Sequence, residues 1–209
     1  MLLFLKVGVL LASLFAVVSL SVLVLKTFSF GRSLLYSEPR SKGGKGVLYV
    51  FGRGMMPWEK ESAGKHLPTY LGGIAYHTGI FAALAYLVSL IISVEFSTSL
   101  ILALRCTVAV GFLSGIALFL KRILLPVIRK ISCPDDFAAN LLVDIFLAFT
   151  FIQTYSESFA PFYYLAAIVM LLYIPVGKIR HCFFFFYAKM LLGTFYGRRG
   201  VLPSGTRRD

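Results

Sequence analysis

The stretch Leu71–Val94 decides the fold class, because its sequence, LGGIAYHTGIFAALAYLVSLIISV, contains no Asp, Glu, Lys or Arg. The hydrocarbon core of a bilayer is about 30 Å thick, and a helix needs about 20 predominantly apolar residues to cross it. The stretch is therefore long enough to span a membrane. His77 interrupts the apolar run and is predicted to lie inside the bilayer.

The rest of the chain has the same character. Of its 209 residues, 58% are hydrophobic and 14% are charged, whereas a soluble domain has about 45–50% apolar and about 25% charged residues. The first apolar stretch lacks the basic start and the cleavage site of a signal peptide, so it is predicted to be a membrane span. The predicted fold class is an all-α integral membrane protein, a bundle of five transmembrane helices. The four further predicted spans are Leu2–Leu25, Leu100–Leu120, Phe137–Ile152 with its flanks, and Pro161–Val176.

Positive charge orients this bundle, because short cytoplasmic connections retain Lys and Arg. Nineteen of the 21 basic residues fall in the first and third connections and in the tail, whereas the connections around Glu95 and Glu157 contain none. The N-terminus is therefore predicted outside and the C-terminus in the cytoplasm, in the inner (cytoplasmic) membrane of the cell. The predicted organisation is a first transmembrane helix at 1–25, a cytoplasmic loop at 26–66, a four-helix membrane core at 67–186 and a basic cytoplasmic tail at 187–209.

Several function classes are disfavoured. The net charge of +12 is confined to short blocks between apolar runs, so it is expected to attract anionic lipid head groups rather than nucleic acid. The segment Ser41–Gly46, SKGGKG, lacks the spacing of a phosphate-binding loop and is predicted to be a flexible loop. Cys106, Cys133 and Cys182 form no C-x-x-C pair, so no iron–sulfur, zinc or covalent haem motif is present.

Two histidines are predicted at similar depth on different helices. If both helices are continuous, His77 lies about 26 Å from the outer end of its span, and His181 lies about 30 Å from Pro161. Two imidazoles at one level are what a six-coordinate haem b requires. Glycines beside them, including Gly79 and Gly177, would admit a flat ring. The alternative is that His77 hydrogen-bonds a neighbouring helix and His181 is a polar interface residue.

Three segments carry a resemblance to a known family: Tyr76–Ile80 (YHTGI), Ser132–Phe137 (SCPDDF) and Pro175–His181 (PVGKIRH). Over roughly Leu67 to Phe186, the chain resembles the haem b membrane subunit, or gamma subunit, of respiratory nitrate reductases. It also resembles the relatives of that subunit in sulfate-reducer and heterodisulfide-reductase-like complexes. The resemblance implies a haem-binding membrane core, with His77 and His181 as metal ligands.

The resemblance also implies a difference from the nitrate-reductase branch, in which two haems are bound. Leu87 and Tyr163 stand where the ligands of an outer haem are expected. The prediction is therefore one haem b with bis-histidine ligation.

Further side chains are candidates for the same site. His66 is either a solvated interfacial histidine or a hydrogen-bond donor to a haem propionate, and Pro68 is predicted to break the helix between it and His77. Lys178 and Arg180 either face propionates or anchor the helix at the cytoplasmic face.

Two charged residues are predicted within the membrane. Asp144 is either a protonated acid hydrogen-bonded to Asn140 or part of a proton path to a bound quinone. Arg105 either extends toward the outer head groups or Glu95, or contacts a quinone carbonyl.

No nucleophile–base pair or carboxylate dyad stands out, so the chain is not expected to be catalytic alone. The resemblance implies an electron-transfer subunit between membrane quinone and a cytoplasmic iron–sulfur partner, heterodisulfide-reductase-like or nitrate-reductase-like, within a hetero-oligomer. The alternative is a haem-free membrane anchor or assembly scaffold. A transporter is disfavoured because no repeated half is apparent.

Overall fold

A computed structural model describes residues 1–31 and 38–202, leaving out the side chains of residues 61–62. Positions 32–37 of the predicted loop and 203–209 of the predicted tail lie outside this part of the chain. Within it, every regular element is helical, which confirms the all-α prediction. The α-helices are α1 (Leu2–Ser29), α2 (Gly43–Phe51), α3 (Glu61–Lys65), α4 (Leu67–Ile91), α5 (Thr98–Leu124), α6 (Pro126–Ile131), α7 (Pro134–Gln153), α8 (Ala160–Tyr173) and α9 (His181–Arg199).

Three helices, α1, α4 and α5, are long and apolar enough to cross a membrane. The segments Glu157–Tyr173 and Lys178–Arg199 pass the same test only as a bent pair, which is either one broken span or a re-entrant loop, giving up to four. The length and composition of these helices therefore describe a multi-pass membrane protein, as predicted. The fifth crossing and the orientation of the termini stay predictions.

The chain divides into two compact units, of which the first contains Met1–Ser21 and Pro68–Ile179. Within it, α4 and α5 cross at Gly79 and Gly111, which are both buried. A Cβ built on either glycine would lie 2.8 Å from the Cα of the other. Small residues at such crossings let two membrane helices approach closely, where packing replaces the hydrophobic effect.

Helix α7 packs against both α5 and α8. It begins where its sequence favours a helix start, with Pro134 in the first turn and Cys133 as the N-cap residue. The carboxylate of Asp136 accepts a hydrogen bond from the backbone N–H of Cys133 over 2.9 Å. This capping interaction satisfies a backbone donor that the helix itself leaves unpaired.

Helix α8 ends at Tyr173, and α9 begins only at His181. Pro175 cannot continue the helix, and the backbone N–H of Gly177 turns back to the carbonyl of Tyr173 over 2.8 Å. The depth predicted for His181 assumed one continuous helix from Pro161 onward. That assumption is wrong, so the similar depth of the two histidines does not follow from helix length.

The second unit contains Val22–Leu67 and the chain from Arg180 onward. Its centre is the contact between α2 and α9, where Gly46 meets Gly193 and Gly197. The predicted flexible loop at Ser41–Gly46 is therefore wrong for Gly43–Gly46, which begin α2, whereas Ser41 and Lys42 lie before the helix. Helix α9 also continues through residue 187, where the basic tail was predicted to start.

Candidate functional site

His77 is an exposed residue on α4, although its neighbour Tyr76 is buried. Its Nδ1 lies 2.7 Å from the backbone carbonyl oxygen of Gly73, one turn earlier. A carbonyl oxygen only accepts hydrogen bonds, so Nδ1 is the donor in this contact. Metal-binding histidines commonly have this arrangement, because the second hydrogen bond fixes the tautomer and the ring orientation.

The glycines around His77 have two different surroundings. A Cβ built on Gly72 or Gly73 would meet no atom within 4 Å, so the surface there is open. Gly79 was predicted to admit a flat ring, but it packs against Gly111 of α5. Gly177 was predicted to do the same near His181, yet a Cβ there would overlap the ring of Tyr173. Both of these glycines therefore serve contacts within the protein.

The other predicted ligand, His181, is the exposed first residue of α9 in the second unit. Arg180, which precedes it, and His66, at the end of α3, are also exposed and belong to that unit. His77 belongs to the first unit. Neither unit by itself contains both predicted axial ligands. The predicted break before Pro68 falls at His66, where α3 ends and α4 follows.

Lys178 has a partner within the first unit. Its Nζ donates to Oδ2 of Asp136 over 2.7 Å, and the guanidinium of Arg122 lies 3.5 Å from Oδ1 of the same carboxylate. Burial opposes ionisation of Asp136. The hydrogen bonds from Lys178 and Cys133, together with the charge of Arg122, outweigh that effect and hold the pKa of Asp136 at about 2. Lys178 thus anchors the start of α7.

Asp144 forms the centre of a buried polar cluster that joins three helices, and its exposed fraction is 3%. The side-chain amide of Asn140 donates to Oδ2 of Asp144 over 2.8 Å, a contact that one of the two alternatives for Asp144 included. The same amide lies 3.2 Å from the hydroxyl oxygen of Tyr76 on α4. It also lies 3.4 Å from the carbonyl oxygen of Gly115 on α5. We call Tyr76, Gly115, Asn140 and Asp144 the Asp144 cluster.

The second oxygen of Asp144, Oδ1, has no hydrogen-bond partner among the described residues. It faces Gly115, where a Cβ would overlap both this oxygen and the ring of Tyr76. A buried oxygen without a partner is costly, and such atoms occur at sites that exchange protons or ligands. The sequence analysis did not place Tyr76 or Gly115 beside Asp144. The G-x-x-x-G spacing of Gly111 and Gly115 was the available signal.

Arg105 lies apart from this cluster and binds the end of α7. Its Nη2 donates to the backbone carbonyl of Thr154, the C-cap residue, and its Nε lies 3.1 Å from Oγ1 of Thr154. The guanidinium also lies 3.8 Å from the centre of the Tyr155 ring. The observed partners of Arg105 are therefore Thr154 and Tyr155, just after the last residue of α7, and its extension toward the outer head groups or Glu95 stays a prediction.

The two positions where the resemblance implies the ligands of an outer haem lie in the core of the first unit. Leu87 and Tyr163 are both buried, and the ring of Tyr163 stacks on Phe146 at a centroid distance of 5.8 Å. Among the described residues, no group of three or more His, Cys, Asp or Glu could hold a metal ion. Bis-histidine ligation requires only two side chains.

No protein-family model, curated protein or solved structure matches the chain. The class that the fold supports is an all-helical, multi-pass membrane protein. The resemblance to the nitrate reductase gamma subunit rests on the three quoted segments.

Proposed function

We propose that the chain is the haem b membrane subunit of a quinone-linked oxidoreductase complex. It passes electrons between the quinone pool and a cytoplasmic iron–sulfur subunit. The observation that carries the proposal is the hydrogen bond between His77 Nδ1 and the carbonyl of Gly73. This bond fixes the orientation of an exposed imidazole beside open glycine backbone, which fits an axial ligand.

The chain's own residues have distinct tasks in this proposal. His77 and His181 would hold one haem b, which supplies one-electron transfer when it is bound. Arg180 would neutralise a propionate, and His66 would donate a hydrogen bond to one. Lys178 remains a weaker candidate, because its ammonium group already binds Asp136.

The proposed topology has five crossings, with the N-terminus outside and the C-terminus in the cytoplasm. Helix α7 supports a further crossing, because it contains the whole of the predicted span Phe137–Ile152, and its ends lengthen that span toward what the hydrocarbon core requires. Four basic residues lie on the proposed cytoplasmic side: Lys121 and Arg122 in the last turn of α5, and Arg129 and Lys130 in α6.

A single haem is consistent with the packing of the first unit. Tyr163 and Leu87 are buried side chains rather than exposed imidazoles. Replacing a buried, stacked tyrosine by a metal site would require the surrounding core to rearrange.

The Asp144 cluster supports a role in proton exchange with bound quinone. Oδ1 is the atom that would hold the proton, since Oδ2 already accepts from Asn140. Arg105 is the weaker quinone contact, because Thr154 and Tyr155 engage its guanidinium. An Asp144→Asn variant is expected to assemble and to lose quinone turnover. Unchanged turnover would remove this role.

The primary test is the haem content of the purified full-length protein, measured by visible difference spectra and a pyridine haemochrome assay. The expected result is one haem b per chain, lost in His77→Ala and in His181→Ala. The control is Thr78→Ala, which changes an exposed neighbour of His77 outside the proposed ligands and propionate contacts. Each variant is also checked for monodispersity, so that loss of haem is separated from loss of fold. No haem despite ample supply during expression, or haem retained in both ligand variants, would contradict the proposal.

A haem-free membrane anchor or assembly scaffold is the second candidate. One observation favours it: Gly79 and Gly177, predicted to make room for the ring, both serve helix packing or a local turn. For a scaffold, His77→Ala is expected to leave assembly of the complex intact, and the purified protein would show no haem spectrum.

A further inference from the structure

Positive charge is concentrated in the second unit. This unit contains fourteen of the 21 basic residues and four of the nine acidic residues, so it carries +10 of the net +12. A topology signal requires only a few basic residues beside each span. The excess therefore calls for a second explanation.

Many of these charges gather at one end of the α2–α9 pair. The backbone N–H of Arg40 donates to the carbonyl of Arg198 over 2.8 Å, which joins the start of α2 to the end of α9. No described carboxylate forms an ion pair with any of the basic residues there. We call this set the basic end; its members are Arg40, Lys42, Lys45, Arg198 and Arg199, all of them exposed.

Large apolar side chains lie exposed in the same unit. Leu48 is 77% exposed and lies three residues after Lys45, on the same face of α2. Trp58 is 73% exposed in the short turn Pro57–Glu59. Glu59 accepts hydrogen bonds from Tyr49 and Arg53, which tie that turn to α2 and neutralise its acid.

The combination fits a bilayer surface better than an acidic protein. Tryptophan favours the head-group region, and basic residues near a membrane are attracted by anionic lipids. The first residue of this unit, Val22, also lies within the candidate span Leu2–Ser29, so the covalent chain holds the unit at a bilayer.

We propose that the second unit is a binding surface for anionic phospholipids. The basic end contacts the head groups, while Leu48 and Trp58 enter the interface. This proposal does not depend on haem binding or electron transfer.

The test uses Trp58, which is the only tryptophan in the chain. The full-length protein is reconstituted into vesicles of phosphatidylcholine alone and of phosphatidylcholine with phosphatidylglycerol. The expected result is a blue-shifted emission in the anionic vesicles and an acrylamide quenching constant lower by about twofold, both reduced at high salt. Acrylamide is chosen because it is uncharged and the vesicle charge does not repel it.

Two matched double variants separate the surface from net charge. Lys42→Gln with Lys45→Gln removes two charges from the basic end and is expected to abolish most of the shift, since each lost cation weakens attraction about fivefold. Arg129→Gln with Lys130→Gln removes two exposed charges from α6 in the first unit. This control variant is expected to retain the emission shift of Trp58.

Three outcomes would overturn the proposal. The first is equal quenching of Trp58 in neutral and anionic vesicles, which would leave the surface to a protein partner. The second is an equal loss of the emission shift in the Arg129 and Lys130 variant. That result would show that the net charge of the protein, and not the basic end, causes the shift. The third is an unchanged shift in the Lys42 and Lys45 variant. A Leu48→Gln variant keeps every charge and is expected to lose part of the shift, so the result does not rest on a single pair of variants folding correctly.

Discussion

The side-chain amide of Asn140 donates to Oδ2 of Asp144 over 2.8 Å, one turn later on the same helix. Tyr76 from α4 and the Gly115 backbone from α5 approach the same amide. A single buried acid thus joins the packing of α4, α5 and α7, because its polar neighbours come from all three.

Gly115→Ala is expected to destabilise the first unit by about 1–3 kcal/mol, because the added methyl group overpacks the Asp144 cluster. A Cβ at this position would overlap Asp144 Oδ1 and the ring of Tyr76. Thermal unfolding in detergent micelles measures the effect. Gly72→Ala is the control, since a Cβ there meets nothing within 4 Å. Equal stability of the two variants would contradict the described cluster.

Arg105→Leu is expected to lower stability by about 1–3 kcal/mol, because it leaves the end of α7 without its charged donor. The lost contacts are those to Thr154 and to the ring of Tyr155. Chemical or thermal unfolding of the purified protein checks this. Arg105→Lys keeps the charge and is expected to lose less. A leucine variant as stable as the parent would show that the contacts of Arg105 with Thr154 and Tyr155 contribute nothing to stability.

Asp136 is expected to make stability depend on pH. It lies just outside the predicted span Phe137–Ile152, and its pKa in the folded protein is about 2, below the ordinary value of 3.8. Because the folded-state pKa is depressed, the contribution is fully present above about pH 4. It is lost as the pH falls through about 2, and it amounts to about 1–2 kcal/mol. Unfolding measured against pH should therefore show a steeper acid loss in the parent than in Asp136→Asn. Glu95→Gln, which replaces an exposed acid, should retain the parent's slope.

Gly46→Ala is expected to disrupt the second unit, because a Cβ there would overlap the carbonyl oxygen of Gly193. The expected loss is about 1–3 kcal/mol. Thermal unfolding of the full-length protein in detergent micelles, followed by circular dichroism, measures the loss. Gly44→Ala on the same helix meets nothing within 4 Å, so it is expected to raise stability slightly through higher helix propensity. If both variants behave alike, the α2–α9 contact is not the centre of this unit.

The sequence predicted the long apolar helices well, because length and hydropathy are local properties. The predicted spans Leu71–Val94 and Leu100–Leu120 lie mostly within α4 and α5. The hydrogen bond between Asn140 and Asp144 was one of two alternatives considered for Asp144, since the two residues are one turn apart.

The predictions that the structure corrects or extends concern contacts between residues that are far apart in the sequence. The glycines of Gly43–Gly46 favour a flexible loop when read locally, but close approach to α9 uses the missing side chains of Gly43 and Gly46. The partner of Arg105 lies 49 residues further along the chain, beyond any local pattern. Pro175 indicates a break after Tyr173, but the predicted span Pro161–Val176 followed the continuous apolar run instead.

The α2–α9 contact joins segments that leave the ribosome at very different times. Helix α2 is synthesised on the order of a hundred residues before α9, and its glycine-lined side stays without a partner until then. The second unit can therefore fold only after the membrane helices between its two segments have been made. A nascent chain stopped before Arg180 would leave α2 uncovered, a state that chaperones and membrane proteases can recognise.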